Sequence, residues 1–221
     1  MKAYVLHGVN DLRLEDVDIP ELQDNEVLVK VRAAGVCGSD IPRIYKTGTY
    51  SFPLIPGHEF SGVVEAVAGK DDNGWIGKRV GVFPLIPCKN CAPCKEKSFE
   101  MCRHYSYLGS RTNGGFAEYV AVPVWNLIEL PGNVTFEQAA MLEPMAVAVH
   151  ALRGAGVHSG QSVAVLGLGT IGLLLCMFLI QEGVKNIFAI GNKEFQKQQI
   201  MKLGIPEDHY CDSRTEKVEE W

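Results

Sequence analysis

Two hydrophobic periodicities divide the chain. Through residues 1 to about 150, apolar positions recur every second residue in short runs, as in Glu26-Val27-Leu28-Val29-Lys30-Val31-Arg32. The runs 60–67, 79–83 and 116–122 follow, each bounded by glycine or proline. Alternation at period two puts one face of a strand in a core, and evenly spaced short strands predict a β-barrel-like domain. Thr135 and Gln138 then stand at capping-box spacing and predict a helix from Phe136, with an apolar face through Ala139, Ala140, Leu142, Ala146 and Val149. Beyond it strand and helix patterns alternate over 162–166, 170–182, 186–190 and 194–203. That order is βαβ and implies a parallel sheet. The expected fold is therefore α/β plus β, with a barrel domain over 1–150 and a parallel βαβ domain over 151–221.

Composition narrows the function classes. Twenty-one basic against twenty-six acidic residues leave a net charge of -5, which gives no electrostatic footprint for nucleic acid or an anionic membrane. The N-terminus turns polar within a few residues and carries no secretory signal pattern. The run 163–180 is apolar enough to span a bilayer, but Gly167, Gly169 and Gly172 interrupt its first half, and a strand, a glycine turn and a buried helix account for the same apolarity. A cytoplasmic protein is expected.

Seven cysteines in such a chain point to reduced thiols or metal ligands rather than disulfides. Cys88, Cys91 and Cys94 are spaced C-x-x-C-x-x-C, and Cys102 follows after seven residues, with Pro87 and Pro93 discouraging regular structure. Four soft donors in one loop suit a tetrahedral structural zinc. An iron–sulfur cluster is the competing metal, but the close fourth Cys-Pro of such runs is missing.

Between the first parallel strand and its helix the chain reads Gly167-Leu168-Gly169-Thr170-Ile171-Gly172. Glycines so placed permit a tight turn, approach of a pyrophosphate to backbone amides, and close helix–strand packing. Packing alone would also use glycine, but a strand before and a helix after are the context that dinucleotide binding requires. A second constellation, Cys37-Gly38-Ser39-Asp40, Gly57-His58-Glu59 and Glu143-Pro144, is bland residue by residue and gains weight only jointly.

The sequence resembles the zinc-dependent medium-chain alcohol and polyol dehydrogenases over essentially its whole length. The resemblance rests on the CGSD block at 37–40, Pro56-Gly57-His58-Glu59-Phe60-Ser61-Gly62, the four-cysteine loop, Gly114-Gly115-Phe116-Ala117-Glu118-Tyr119, Glu143-Pro144 and the glycine turn. The stretches 41–48 and Leu108-Gly109-Ser110-Arg111 most resemble the galactitol-1-phosphate dehydrogenase group, with the sorbitol or L-iditol type next. The resemblance implies a GroES-like catalytic domain, an incomplete Rossmann domain, and two zinc ions per chain. It implies Cys37, His58 and Glu143 as catalytic-zinc ligands, with Glu59 as the rival third ligand or the carboxylate holding zinc-bound water. Ser39 would relay the alcohol proton and Asp40 would fix the histidine tautomer. The reaction implied is hydride transfer from a secondary alcohol of a polyol or polyol phosphate to NAD or NADP. Homo-oligomers are implied by the family.

Three features modify that picture. An acid is expected after the second parallel strand for NAD, and Gly191-Asn192-Lys193 stands there instead, which favours a 2′-phosphate and hence NADP. Arg43 and Lys46 follow the Cys37 block and are candidates for a substrate phosphate, against a reading as ordinary surface charges. The chain also holds two or three strand candidates where such a nucleotide fold has about six. A C-terminally truncated product is therefore expected, with oligomer surfaces and activity both in question. An inactive product, or a zinc-stabilised binding module with a glycine turn used only for packing, is the alternative of another class. A zinc-cysteine nucleic-acid module has least support.

Overall fold

A computed structural model describes residues 1–69, 74–218 and 221. The chain divides into two compact units, Met1–Glu143 and Pro144–Trp221. The boundary lies inside a helix that also contains position 150.

The first unit opens with an antiparallel hairpin, β1 (Lys2–Gly8) and β2 (Asp11–Asp16). The long β3 (Glu26–Gly35) leads into a one-turn helix α1 (Asp40–Pro42) and a π-helical turn, Arg43–Thr47. β4 (Glu59–Val67) and β5 (Arg79–Val82) follow. The short pair β6 (Leu85–Ile86) and β7 (Ser106–Tyr107) brackets the cysteine loop, which contains helix α2 (Ala92–Lys95). β8 (Tyr119–Pro123) and β9 (Leu127–Glu129) complete a five-stranded antiparallel sheet in the order β8-β3-β4-β5-β9. Val27 and Val29 of β3, Val80 and Val82 of β5, and Val120 and Val122 of β8 are buried together with Phe60 and Val64. These are the alternate positions of the period-two runs, and each buried valine contributes about 1.5–3 kcal/mol relative to exposure.

Two helices follow, α3 (Phe136–Ala140) and α4 (Leu142–Ala155). The capping box forms as expected, with the Thr135 hydroxyl accepting from the Gln138 amide and the Gln138 side chain accepting from the Thr135 amide. The single helix expected from 136 is interrupted at Met141, because Pro144 has no N–H to give the Ala140 carbonyl and its ring crowds that oxygen. The break shifts the buried face: Ala148 is buried and Ala146 is exposed.

The second unit has a parallel sheet in the order β10-β11-β12, built from β10 (Ser162–Leu166), β11 (Asn186–Gly191) and β12 (Tyr210–Asp212). Helix α5 (Thr170–Gln181) joins β10 to β11, and α6 (Glu194–Lys202) follows β11. Cys176 and Leu179 of α5 pack with Val165, Ile187, Ala189 and Ile200. The apolar run 163–180 is thus most of a strand, a turn and all but the last residue of a half-buried helix. Among the described residues no helix is long and apolar enough to cross a membrane.

Candidate functional site

The turn after β3 delivers Cys37 and Asp40, and the start of β4 delivers His58 and Glu59. The Cys37 thiol, a His58 ring nitrogen and a Glu59 carboxylate oxygen all lie within 4.8 Å of one another. His58 and Glu59 are buried, and burial raises the Glu59 carboxyl above its ordinary range. For His58 burial alone favours the neutral ring, but a hydrogen bond to Cys37 and the charges of Asp40 and Glu143 outweigh it, so its pKa is raised.

Asp40 is fully buried and serves three neighbours. Its Oδ2 accepts from the Cys37 amide at 3.0 Å, and its Oδ1 pairs with Arg43 Nη1 at 2.5 Å. The same Oδ1 lies 3.5 Å from His58 Nδ1, a buried nitrogen with no hydrogen-bond partner. A buried ring nitrogen facing a carboxylate is the arrangement that fixes a metal-binding histidine. Arg43 is therefore committed to Asp40, while Lys46 is exposed on the following turn. Ser39 is exposed at the start of α1.

Glu143 does not join the Cys37 group. Its Oε1 accepts from the Tyr107 hydroxyl at 3.0 Å, and the Tyr107 ring meets His58 edge-on at 5.9 Å between centroids. Burial and the Glu143 charge push the Tyr107 phenol well above its usual range, so it stays a proton donor. Tyr107 escapes sequence reasoning because only the fold brings it to His58 and Glu143; its place beside the Leu108-Gly109-Ser110-Arg111 stretch is the sole local signal.

The turns that carry these groups share a backbone seam. An added Cβ at Gly109 would fall 2.3 Å from the Gly57 carbonyl oxygen, and one at Gly114 would fall 2.0 Å from the same atom. Gly115 donates to that carbonyl at 2.8 Å.

In the cysteine loop one sulfur from each of Cys88, Cys91, Cys94 and Cys102 lies within 4.8 Å of the others, and none forms a disulfide. The Cys88 amide donates to Cys102 Sγ at 3.2 Å. Amides of Arg103 and Cys94 hold the Cys91 thiol down to about 6, whereas burial pushes Cys94 up to about 12. Amides aimed at sulfur stabilise thiolate, the form a metal takes. The donor set fits zinc.

The second unit presents the glycine turn between β10 and α5. Gly167 has φ +91°, and a Cβ at Gly172 would fall 1.9 Å from the Gly167 carbonyl oxygen. Gly169 caps α5 with open space at its Cβ position, and Thr170 and Ile171 begin the helix. Gly167 thus needs glycine for its left-handed backbone and Gly172 for its close packing, whereas Gly169 leaves room for something to approach. At the end of β11, Gly191 is buried and accepts from the Ser213 amide and hydroxyl, both at 3.0 Å. The Asn192 amide donates to Gln196 Oε1 at 3.0 Å, and Asn192 and Lys193 are exposed.

The known proteins that this chain resembles are dehydrogenases. The alcohol dehydrogenase GroES-like domain matches residues 23–132. Galactitol 1-phosphate 5-dehydrogenase of Escherichia coli (strain K12) is 39% identical over 191 residues, 86% of this chain and 55% of that protein. An alcohol dehydrogenase from Escherichia coli CFT073, solved in complex with NADH, superposes with a TM-score of 0.92 at 30% identity, covering 100% of this chain and 64% of the other. A putative zinc-binding dehydrogenase from Sinorhizobium meliloti 1021, bound to NADP, gives 0.91 at 31% identity over 99% of this chain and 64% of its own. The chain spans about half the length of the curated relatives it matches.

Proposed function

Because the chain belongs to the medium-chain alcohol and polyol dehydrogenase family, we propose that it carries the metal centre and part of the dinucleotide site of a polyol dehydrogenase. The reaction takes a hydride from the carbinol carbon and a proton from its hydroxyl, leaving a ketone. The substrate is a polyol or polyol phosphate, with galactitol 1-phosphate the model compound. The carrying observation is the approach of Cys37, His58 and Glu59 to one another, with the unpartnered His58 Nδ1 facing Asp40.

Cys37, His58 and Glu59 are the ligands we assign to a catalytic zinc, and the four cysteines those of a structural one. When bound, zinc supplies a Lewis acid that makes a hydroxyl more acidic, and a nicotinamide dinucleotide supplies the hydride acceptor. The Asp40 carboxylate, 3.5 Å from His58 Nδ1, favours the proton on that nitrogen, which leaves Nε2 to ligate. Arg43 is the counter-ion of the buried Asp40. Ser39, exposed beside Cys37, passes the hydroxyl proton outward. Glu143 adds negative charge at the second rank, and Tyr107 keeps its carboxylate in place.

The first unit is then the catalytic domain and the second the nucleotide-binding portion. Gly167, Gly169, Thr170, Ile171 and Gly172 form the pyrophosphate turn. The loop Gly191-Asn192-Lys193 offers a cation and no carboxylate to the adenosine ribose, which favours NADP over NAD. The test is elemental analysis of purified protein with NAD and NADP titrated into the same sample. Two zincs per chain and tighter NADP binding are expected. One zinc per chain in wild type and in Cys37 variants alike would remove the catalytic assignment, and tighter NAD binding would remove the NADP preference.

A further inference from the structure

Arg43, the obvious cation beside the Cys37 block, is held by Asp40. Arg111 lies instead in the turn that follows Tyr107, and its guanidinium carbon is 3.9 Å from the Tyr50 ring centroid and 4.4 Å from that of Tyr105. Arg13, Arg43 and Arg214 each pair with a carboxylate, whereas Arg111 meets two tyrosines through ring contacts and hydrogen bonds. A guanidinium carries five N–H donors, so contacts to two tyrosines hold it in place and leave donors for a further acceptor. A cation so fixed binds an anion with little loss of side-chain freedom.

The position is set by the metal group. The Arg111 amide donates to the Tyr107 carbonyl at 2.9 Å, and the Ser110 carbonyl accepts from the Thr49 hydroxyl at 2.7 Å, which ties the Arg111 turn to the loop carrying Tyr50. Tyr105 meets Tyr107 edge-on at 6.5 Å between centroids, and Tyr107 meets His58 at 5.9 Å. One aromatic series thus runs from the candidate zinc ligand to the guanidinium.

We infer that Arg111, clamped by Tyr50 and Tyr105, binds the phosphate of a polyol monophosphate and selects it over the free polyol. The inference rests on the polyol reading above and names the group that sets substrate class. A phosphate dianion matches the guanidinium fork in two parallel hydrogen bonds. Tyr50, 70% exposed, is the ring through which solvent and ligand reach the pair.

The test is calorimetric titration of the zinc-loaded protein with galactitol 1-phosphate and with galactitol, in wild type, R111Q and Y50L. R111Q is expected to weaken galactitol 1-phosphate binding roughly ten- to hundredfold, the effect of losing hydrogen bonds to a charged group, and to leave galactitol binding unchanged. Y50L removes an exposed ring, does not threaten folding, and is expected to weaken the phosphorylated ligand alone by a smaller factor. Equal weakening of both ligands, or of neither, overturns the inference. Wild type that binds both ligands equally also overturns it while the polyol reading stands. Wild type that holds two zincs and binds neither ligand overturns both.

Discussion

The Tyr107 hydroxyl donates to Glu143 Oε1 across 36 positions of sequence, tying the turn behind the cysteine loop to the first turn of α4. The phenol is half-buried and faces a charge, so Tyr107→Phe removes a charge-assisted hydrogen bond and leaves the carboxylate short of a donor. Its expected cost is about 1–3 kcal/mol of stability, measured by urea unfolding, with a wild-type m-value. A loss within error would show that water replaces the phenol at no cost.

Asp40→Asn keeps the shape of the most connected side chain near Cys37 and removes its charge. Arg43 then has no counter-ion, and His58 Nδ1 faces an amide in place of a carboxylate. Zinc affinity at the Cys37 group is expected to fall roughly ten- to hundredfold, read by competition with a chelator. The four-cysteine loop is expected to hold its zinc unchanged, which separates a positioning role from general unfolding.

Glycine substitutions separate packing from ligand access in the β10–α5 turn. Gly172→Ala drives a methyl into the Gly167 carbonyl, so the expected result is a less stable second unit by about 1–3 kcal/mol. Gly169→Ala meets no atom within 4 Å, so stability is expected to hold while dinucleotide affinity drops. Fluorescence titration with NADPH beside thermal melts reads both, and unchanged affinity in the Gly169 variant would count against pyrophosphate contact there.

One acid titration follows from the end of β12. Arg214 pairs with both carboxylate oxygens of Asp212 and its amide donates to one of them, which lowers the Asp212 pKa to about 2 from 3.8. The folded value is depressed, so this pairing stabilises the fold above about pH 4 and loses its effect as pH falls towards 2. Carboxyl carbon NMR is expected to give a midpoint near the lower value, and Arg214→Ala to return it towards 3.8.

Much of this architecture is readable before folding. Period-two runs give β3, β4 and β5 because one face of each lies in the valine core, and the glycine turn is legible because strand and helix flank it. The β1–β2 hairpin is not, since Leu14 and Tyr4 point outward and blur the alternation. β12 is three residues long, too short for any period to register. The helix break at Met141 has a local cause in Pro144, which periodicity overlooks. At the site, cysteine spacing alone brings the four thiols into view. The approach of Glu59, the engagement of Arg43 and the stacking of Arg111 depend on side-chain directions that only the packed loops decide.

At Gly57, Gly109 and Gly114 main chain touches main chain, with no side chain between to act as a cushion. The segment presenting His58 and the turn presenting Tyr107 and Arg111 are consequently one mechanical part. A ligand that pulls on the guanidinium pulls on the imidazole, and a methyl group forced into the joint would misalign the metal group and the aromatic wall in the same stroke. Grip on the distant end of a substrate and poise at its reacting end are thereby set by a common hinge-free support, so neither can be retuned through that joint without disturbing the other.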